Sequence, residues 1–223
     1  LLSFLGEINT PLLTGAPHIT NIDPLMAANS GILLDSRGEM LYQYGKQHPV
    51  PFAEYIPFFE YPAVRDFMKK HVGLSSTWNV GTENVIMEVP LASGRPLRFG
   101  VPICFENAFS DVCRAFVDEG ADLLINITNV SWSRQASAQT QHLAVARFRS
   151  VETRRVMVQS TNSGVSTIID AEGRQLQTLP MFVEGVLPVR VAIQVSNGPS
   201  VYLLFGDWFP IFLALLLALG LFR

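Results

Sequence analysis

Residues 97–127 constrain this chain more than any other stretch. An apolar run, 99–103, reads as a short buried strand that ends on Cys104. A polar turn follows. A helix is predicted over 111–118, with Gly120 placed to close it, and 122–127 reads as a second strand. Strand, helix and strand within about thirty residues make a βαβ unit, so the two strands should be parallel neighbours. Cys104 is thereby carried to the carboxyl end of a strand, just before a helix, where α/β proteins place reacting groups. Backbone N–H groups of such a turn point into the same space and can hold a developing oxyanion. On this strand alone, a cysteine more often serves as one more small buried hydrophobe. Asn126, Thr128, Asn129 and Trp132 leave the second strand on the same edge, which favours a site.

The rest of the chain builds outward from this unit, and 223 residues suffice for one large domain with a substantial core. Residues 1–5 read as the tail of a helix closed by Gly6, and 10–14 as a strand ending at Gly15-Ala16-Pro17. Residues 32–34 and 40–44 flank Asp35-Ser36-Arg37-Gly38 as a hairpin. That hairpin delivers 45–55, where Pro49 and Pro51 forbid a helix and predict an extended segment. Lys46 follows directly on the strand and is one of only three lysines; by composition alone it is a surface residue. The connection 56–78 holds Phe58, Phe59, Tyr61, Phe67 and Met68, with an amphipathic helix predicted over 63–70 and a basic trio, Lys69-Lys70-His71. This suits a membrane surface or an ordinary packed excursion. A second hairpin joins 85–89 to 97–103 through Ser93-Gly94-Arg95-Pro96. Downstream, 136–155 reads as a helix with Leu143, Ala146 and Val151 at core spacing. Strands are predicted at 156–159, at 165–169, after the turn 171–174, and last at 186–193. Strands with helices on their outer faces, many of them paired as hairpins, imply a layered α/β sandwich.

Several classes are excluded. A net charge of −3 with 16% charged residues leaves no basic footprint for nucleic acid. Cys104 and Cys113 make no disulfide framework, since pairing them would bridge a turn and a helix; both are expected as free thiols. The four histidines are scattered and no Cys/His spacing resembles a zinc site, so neither metal nor cofactor is expected. Residues 209–222 are almost purely apolar and carry no charge, with Tyr202, Trp208 and Phe209 as an interfacial belt; they read as the first half of a transmembrane helix. The chain opens at Leu1 without Met and stops at Arg223 after this run, which reads as a piece of a longer protein.

Specific motifs add to this. They are Leu12-Leu13-Thr14-Gly15-Ala16-Pro17, the run from Gly45 through Lys46, Pro49 and Ala53 to Glu54-Tyr55, and Ile103-Cys104-Phe105-Glu106. Asn129-Val130-Ser131-Trp132, the stretch from Gln141-His142 to Glu152, Thr161-Asn162-Ser163-Gly164 and Phe205-Gly206-Asp207-Trp208 follow. On these the chain resembles the nitrilase superfamily and, within it, the apolipoprotein N-acyltransferases, over nearly all its length. The resemblance implies a nitrilase-like αββα sandwich over residues 1–200, lacking its first strand and helix, and a membrane-interface segment with the start of a transmembrane helix over 201–223. It implies a Glu-Lys-Cys mechanism: Cys104 as nucleophile, Lys46 and the Phe105 N–H on the oxyanion, and Glu54 holding Lys46. Phe105, Glu106, Asn129 and Trp132 would shape the substrate pocket. The base glutamate would lie upstream, because Glu7, the only carboxylate before Asp23, stands in the wrong context. The implied reaction moves a phospholipid acyl chain, through a thioester, to the N-terminal amine of a diacylglyceryl apolipoprotein at the periplasmic face of a bacterial inner membrane. A nitrilase-type amidohydrolase using water, and a binding module without chemistry, are the alternatives. Phe105 stands where tyrosine is common, Pro49 and Ala53 replace Leu and Gly, and Ser133-Arg134 replaces Phe-Gly; these bear on substrate fit.

Overall fold

The parallel pair expected at 97–127 forms, and it lies within a six-stranded sheet. The computed structural model describes residues 2–22, 25–73, 77–91, 94–193 and 198–221. Leu1, Ser93, Phe222 and part of the 56–78 connection fall outside these residues. Strand β5 (Pro96–Gly100) lies parallel to β6 (Leu123–Thr128), with α3 (Ser110–Asp118) as the crossover, and β6 lies parallel to β7 (Val156–Thr161) through α4 (Ala136–Thr153). Strand β4 (Met87–Pro90) adds antiparallel beside β5, and β8 (Ser166–Ile169) and β9 (Gln175–Leu179) continue antiparallel beyond β7. A separate antiparallel sheet holds β1 (Leu12–Ile22), β2 (Leu25–Leu34) and β3 (Met40–Gly45) in that order.

The two sheets face one another where side chains are small. Gly15 and Gly31 are cross-strand partners. A Cβ on Gly31 would lie 3.1 Å from Val101 Cγ1, and one on Gly15 would lie 3.4 Å from Ile127 Cδ1. On β5, a Cβ at Gly100 would meet Phe116 Cγ at 2.3 Å, so α3 packs against this strand at a distance only glycine allows. Val112, Cys113 and Phe116 of α3, Ala146 of α4, and Phe99, Leu124, Met157 and Ile169 of the sheet are buried together with Leu33 and Tyr44 of the smaller sheet.

Several expectations are corrected. Helix α1 (Leu2–Ile8) continues through Gly6, and β1 runs on past Pro17 to Ile22. Among the described strands β1 pairs only with β2, and an edge strand tolerates a residue with no N–H to donate. Residues 45–55 are not extended: Val50 O accepts from the N–H groups of Glu54 (2.8 Å) and Tyr55 (3.2 Å), with Phe52 at φ 62°. Helix α4 stops at Thr153 because Arg154 turns left-handed at φ 51°. Val151 is exposed; the helix buries Gln139, Ala146, Arg149, Ser150 and Thr153, a largely polar stripe. Residues 186–193 form no strand. Leu187, Val189, Val191 and Ile193 pack on the core in alternation, but no described strand pairs with them.

Helix α5 (Val201–Phe205) leads into α6 (Trp208–Leu221), 14 residues without a charge, exposed over 208–220. At about 1.5 Å rise per residue such a helix reaches roughly 21 Å, short of the ~30 Å hydrocarbon layer. Among the described residues no helix is long and apolar enough to cross a membrane; where the first half of a span was expected there is this helix of 14 residues.

Candidate active site

Cys104 opens a short 3-10 turn (Cys104–Ala108) after the apolar strand, and its φ of 52° puts a non-glycine residue in the left-handed region. Such strain persists only where surroundings enforce it. Here they do: Asn126 Nδ2, from β6, donates to both Pro102 O (2.8 Å) and Cys104 O (3.1 Å). The turn leaves Cys104 partly exposed, with Sγ 4.0 Å from Asn129 O. The other thiol is a contrast. Cys113 is fully buried on α3, and burial pushes it up to about 12, so it stays protonated and inert.

Lys46 is not on the surface; it is 1% exposed. Its N–H donates to Asn29 O (2.8 Å) and its carbonyl accepts from Gly81 N–H (2.7 Å), fixing the backbone after β3. Its Nζ lies 2.6 Å from Glu54 Oε2. Glu54 also accepts from Val50 N–H (2.7 Å) and Asn29 Nδ2 (2.8 Å). Burial raises the Glu54 carboxyl, but the Lys46, Val50 and Asn29 bonds outweigh it and hold the group below its ordinary range. An ammonium has three N–H donors, so one bond to Glu54 leaves two for a second acceptor.

The sign of the Glu54 shift sets a pH expectation. A carboxyl depressed in the folded state stabilises the fold above its unfolded pKa and loses that contribution as pH falls through the lower, folded value. The stability difference between the protein and its Glu54→Gln variant, followed by urea unfolding, should therefore hold constant down to roughly pH 4.5 and shrink only below about 4. A difference that vanished near neutrality would remove the ion pair from the account.

Glu106 was expected in the pocket; the structure turns it the other way. It is fully buried behind the turn and does not line the cavity. Its Oε2 accepts from Ile103 N–H (2.7 Å), and Oε1 accepts from Gln47 N–H (2.6 Å), His48 N–H (3.1 Å) and the Tyr44 hydroxyl (3.0 Å). One carboxylate thus ties the segment after Lys46 to the turn that carries Cys104. Burial pushes Glu106 up, against the pull of these donors. Glu106→Ala would leave three N–H groups and a hydroxyl without acceptors, at about 1–3 kcal/mol for each buried group. A fall in the unfolding midpoint on the order of 10 °C is expected by scanning calorimetry. An unchanged midpoint would mean the carboxylate does not hold these segments.

The carboxyl ends of β5, β6 and β7 open on a cavity of about 920 Å³. Cys104, Glu54, Phe105, Asn129 and Trp132 line it; Lys46 does not. Leu13, Ala16 and Pro17 of β1, with Val50, Ile103 and Ile127, give it apolar walls. Trp132 is 75% exposed at its edge. Asn129 Oδ1 accepts from Asn162 Nδ2 (2.7 Å) and Ser131 Oγ (2.8 Å), which joins the ends of β6 and β7. His142 of α4 also lines the cavity, with Nδ1 buried and without a partner among the described residues. Burial, then the Lys46 charge, lowers its pKa, so the ring is neutral at pH 7. Sequence reasoning missed Asn29, Tyr44 and His142 as site residues. Asn29 sits in a stretch of Ala, Asn and Ser with no strand signal, and His142 was visible only as part of a motif. No group of three metal-binding side chains occurs among the described residues.

A thiol on a strand-end turn, in a cavity that a lysine-paired glutamate also lines, is the kind of site at which a cysteine can act as nucleophile. Residues 5–196 match the carbon-nitrogen hydrolase family, and the chain belongs to that family. Within it, the chain is similar to apolipoprotein N-acyltransferases: 41% identical to apolipoprotein N-acyltransferase 2 of Treponema denticola over 98% of this chain and 41% of that protein. It is 38% identical to its namesake in Treponema pallidum (96% of this chain, 38% of that one) and 34% identical to the apolipoprotein N-acyltransferase of Geobacter metallireducens (91% and 37%). The chain thus spans about two fifths of the length of the curated relatives it matches. Among solved structures it resembles an amidase from Nesterenkonia, with a TM-score of 0.57 at 18% identity, covering 81% of this chain and 61% of the amidase. That likeness shows the nitrilase-like fold.

Proposed function

We propose that this chain is the catalytic part of an N-acyltransferase that moves a phospholipid acyl chain to the N-terminal amine of a diacylglyceryl lipoprotein. The observation that carries the reading is the placing of Cys104, on a strained turn, in an apolar-walled cavity that Glu54, the partner of Lys46, also lines. Cys104 attacks the ester carbonyl as thiolate, and Lys46 with the Phe105 N–H stabilises the oxyanion. The N–H groups of a first helical turn have no acceptor within the helix, which suits the Phe105 N–H to this task. Collapse of the intermediate expels the lysophospholipid and leaves a thioester. The lipoprotein amine then attacks the thioester and releases Cys104. Glu54, bound to Lys46, serves to position it and is not free to act as base. The reading assigns the base to a glutamate outside the described residues.

In this reading Phe105, Asn129 and Trp132 contact the lipid substrates, while Glu106 supports the site from behind. Helix α6, apolar on every side, sits at the membrane with the domain on the periplasmic side. The test uses the full-length protein with phosphatidylethanolamine and a diacylglyceryl-modified peptide. The peptide should gain one amide-linked acyl chain while acetamide stays intact. Hydrolysis of small amides without acyl transfer would replace this reading with the amidohydrolase one.

A further inference from the structure

Helix α2 (Pro62–His71) has no buried residue. Helical spacing puts Ala63, Val64, Phe67 and Met68 on one side and Arg65, Asp66, Lys69 and Lys70 on the other. Val64 and Met68 are half-buried, but Phe67 is 58% exposed. The aromatics leading into the helix are exposed too: Phe52 at 66%, Phe58 at 64% and Tyr61 at 58%. Phe58 contacts Tyr61 (ring centroids 6.4 Å apart), and Phe67 contacts His71 (4.9 Å).

The charge here runs against that of the chain. The protein carries −3, yet two of its three lysines stand side by side on α2. Arg65, Lys69 and Lys70 form no ion pair among the described residues. Rings left in water beside unpaired cations are both accommodated by one kind of surface. Aromatic side chains settle at the boundary of headgroups and acyl chains, and ammonium and guanidinium groups meet phosphate just above it. We infer that α2 and its leading aromatics form a contact with a lipid surface that is selective for anionic headgroups. This rests on the reading of the site as one that takes lipid. Val50, Ala53, Glu54 and Trp78 of the same excursion line the Cys104 cavity, so the contact would set the cavity against the bilayer.

The test is independent of turnover. The full-length protein carrying Phe67→Cys, with Cys104→Ala and Cys113→Ala, is labelled with an environment-sensitive dye and reconstituted into vesicles. Dye emission should shift to the blue in phosphatidylcholine holding about 30 mol % phosphatidylglycerol, relative to phosphatidylcholine alone. High salt should reverse the shift. Adding Lys69→Gln and Lys70→Gln should lower the inserted-to-free ratio of the probe roughly thirtyfold, two basic residues' worth of surface attraction. Equal emission in the two vesicles overturns the inference. So does a shift that appears only when the lipoprotein peptide is added, because the face would then dock protein. If the unlabelled protein still transfers acyl chains, failure here leaves the proposed function standing; a probe response without transfer does the reverse.

Discussion

Cys104→Ser in the full-length protein is expected to cut acyl transfer by on the order of a thousandfold or more. A thiol near neutral pH supplies some thiolate, the attacking form, whereas a hydroxyl supplies almost none. The substitution is nearly isosteric, and the turn is held by backbone and Asn126 contacts that do not involve Sγ, so the fold should be unchanged. Circular dichroism and the unfolding midpoint check that separately. Cys113→Ala is the control: that thiol is buried against the core and away from the cavity, and turnover per folded molecule should stay near normal. Full activity in Cys104→Ser would sink both the transferase and the amidohydrolase readings.

Lys46→Ala carries the second large effect. Losing one oxyanion donor costs about 3 kcal/mol, or roughly a hundredfold in rate. The same change strands the Glu54 carboxylate, which keeps the Val50 and Asn29 bonds but loses its cation. The loss should fall on kcat with little change in KM for phospholipid, because in the proposed reading Lys46 binds charge that appears only during the reaction. Lys46→Arg should not rescue it, since a planar fork does not fit the space of a fully enclosed ammonium. Steady-state kinetics with varied donor separates the two constants. A pure rise in KM would make Lys46 a binding residue only.

Much of this site was legible because its parts are local. The βαβ pattern around Cys104 depends on one apolar run, one glycine-closed helix and a second apolar run, and the strands pair as that pattern requires. The two hairpins were legible for the same reason. What was not legible depends on contacts between distant segments. No local signal shows that Glu106 turns inward to meet residues 47 and 48, because that follows from how the two sheets face each other. Lys46 read as a surface residue by composition and is enclosed only because Glu54 returns to it through the turn at Val50. The stretch 186–193 alternates as a strand should, yet alternation records only which side chains face the core and not whether a neighbour is there to pair. In α4 the apolar spacing pointed to Val151, whereas the helix buries Gln139, Arg149 and Ser150. Some of these polar groups find partners there: Gln139 Nε2 donates to Val130 O and Ser150 Oγ donates to Ala146 O. A pattern that counts only apolar residues misses that face.

The central claim is that acyl transfer passes through a thioester on Cys104. The most direct measurement is the mass of the peptide containing Cys104 after the full-length protein is incubated with phospholipid and no lipoprotein acceptor. An acyltransferase that keeps water out should accumulate the acyl-enzyme under these conditions. The account predicts a gain of one fatty-acyl mass on that peptide, removed by hydroxylamine and discharged when the lipoprotein peptide is added. An unmodified Cys104 peptide, in a preparation that transfers acyl chains at full rate once acceptor is supplied, would contradict it.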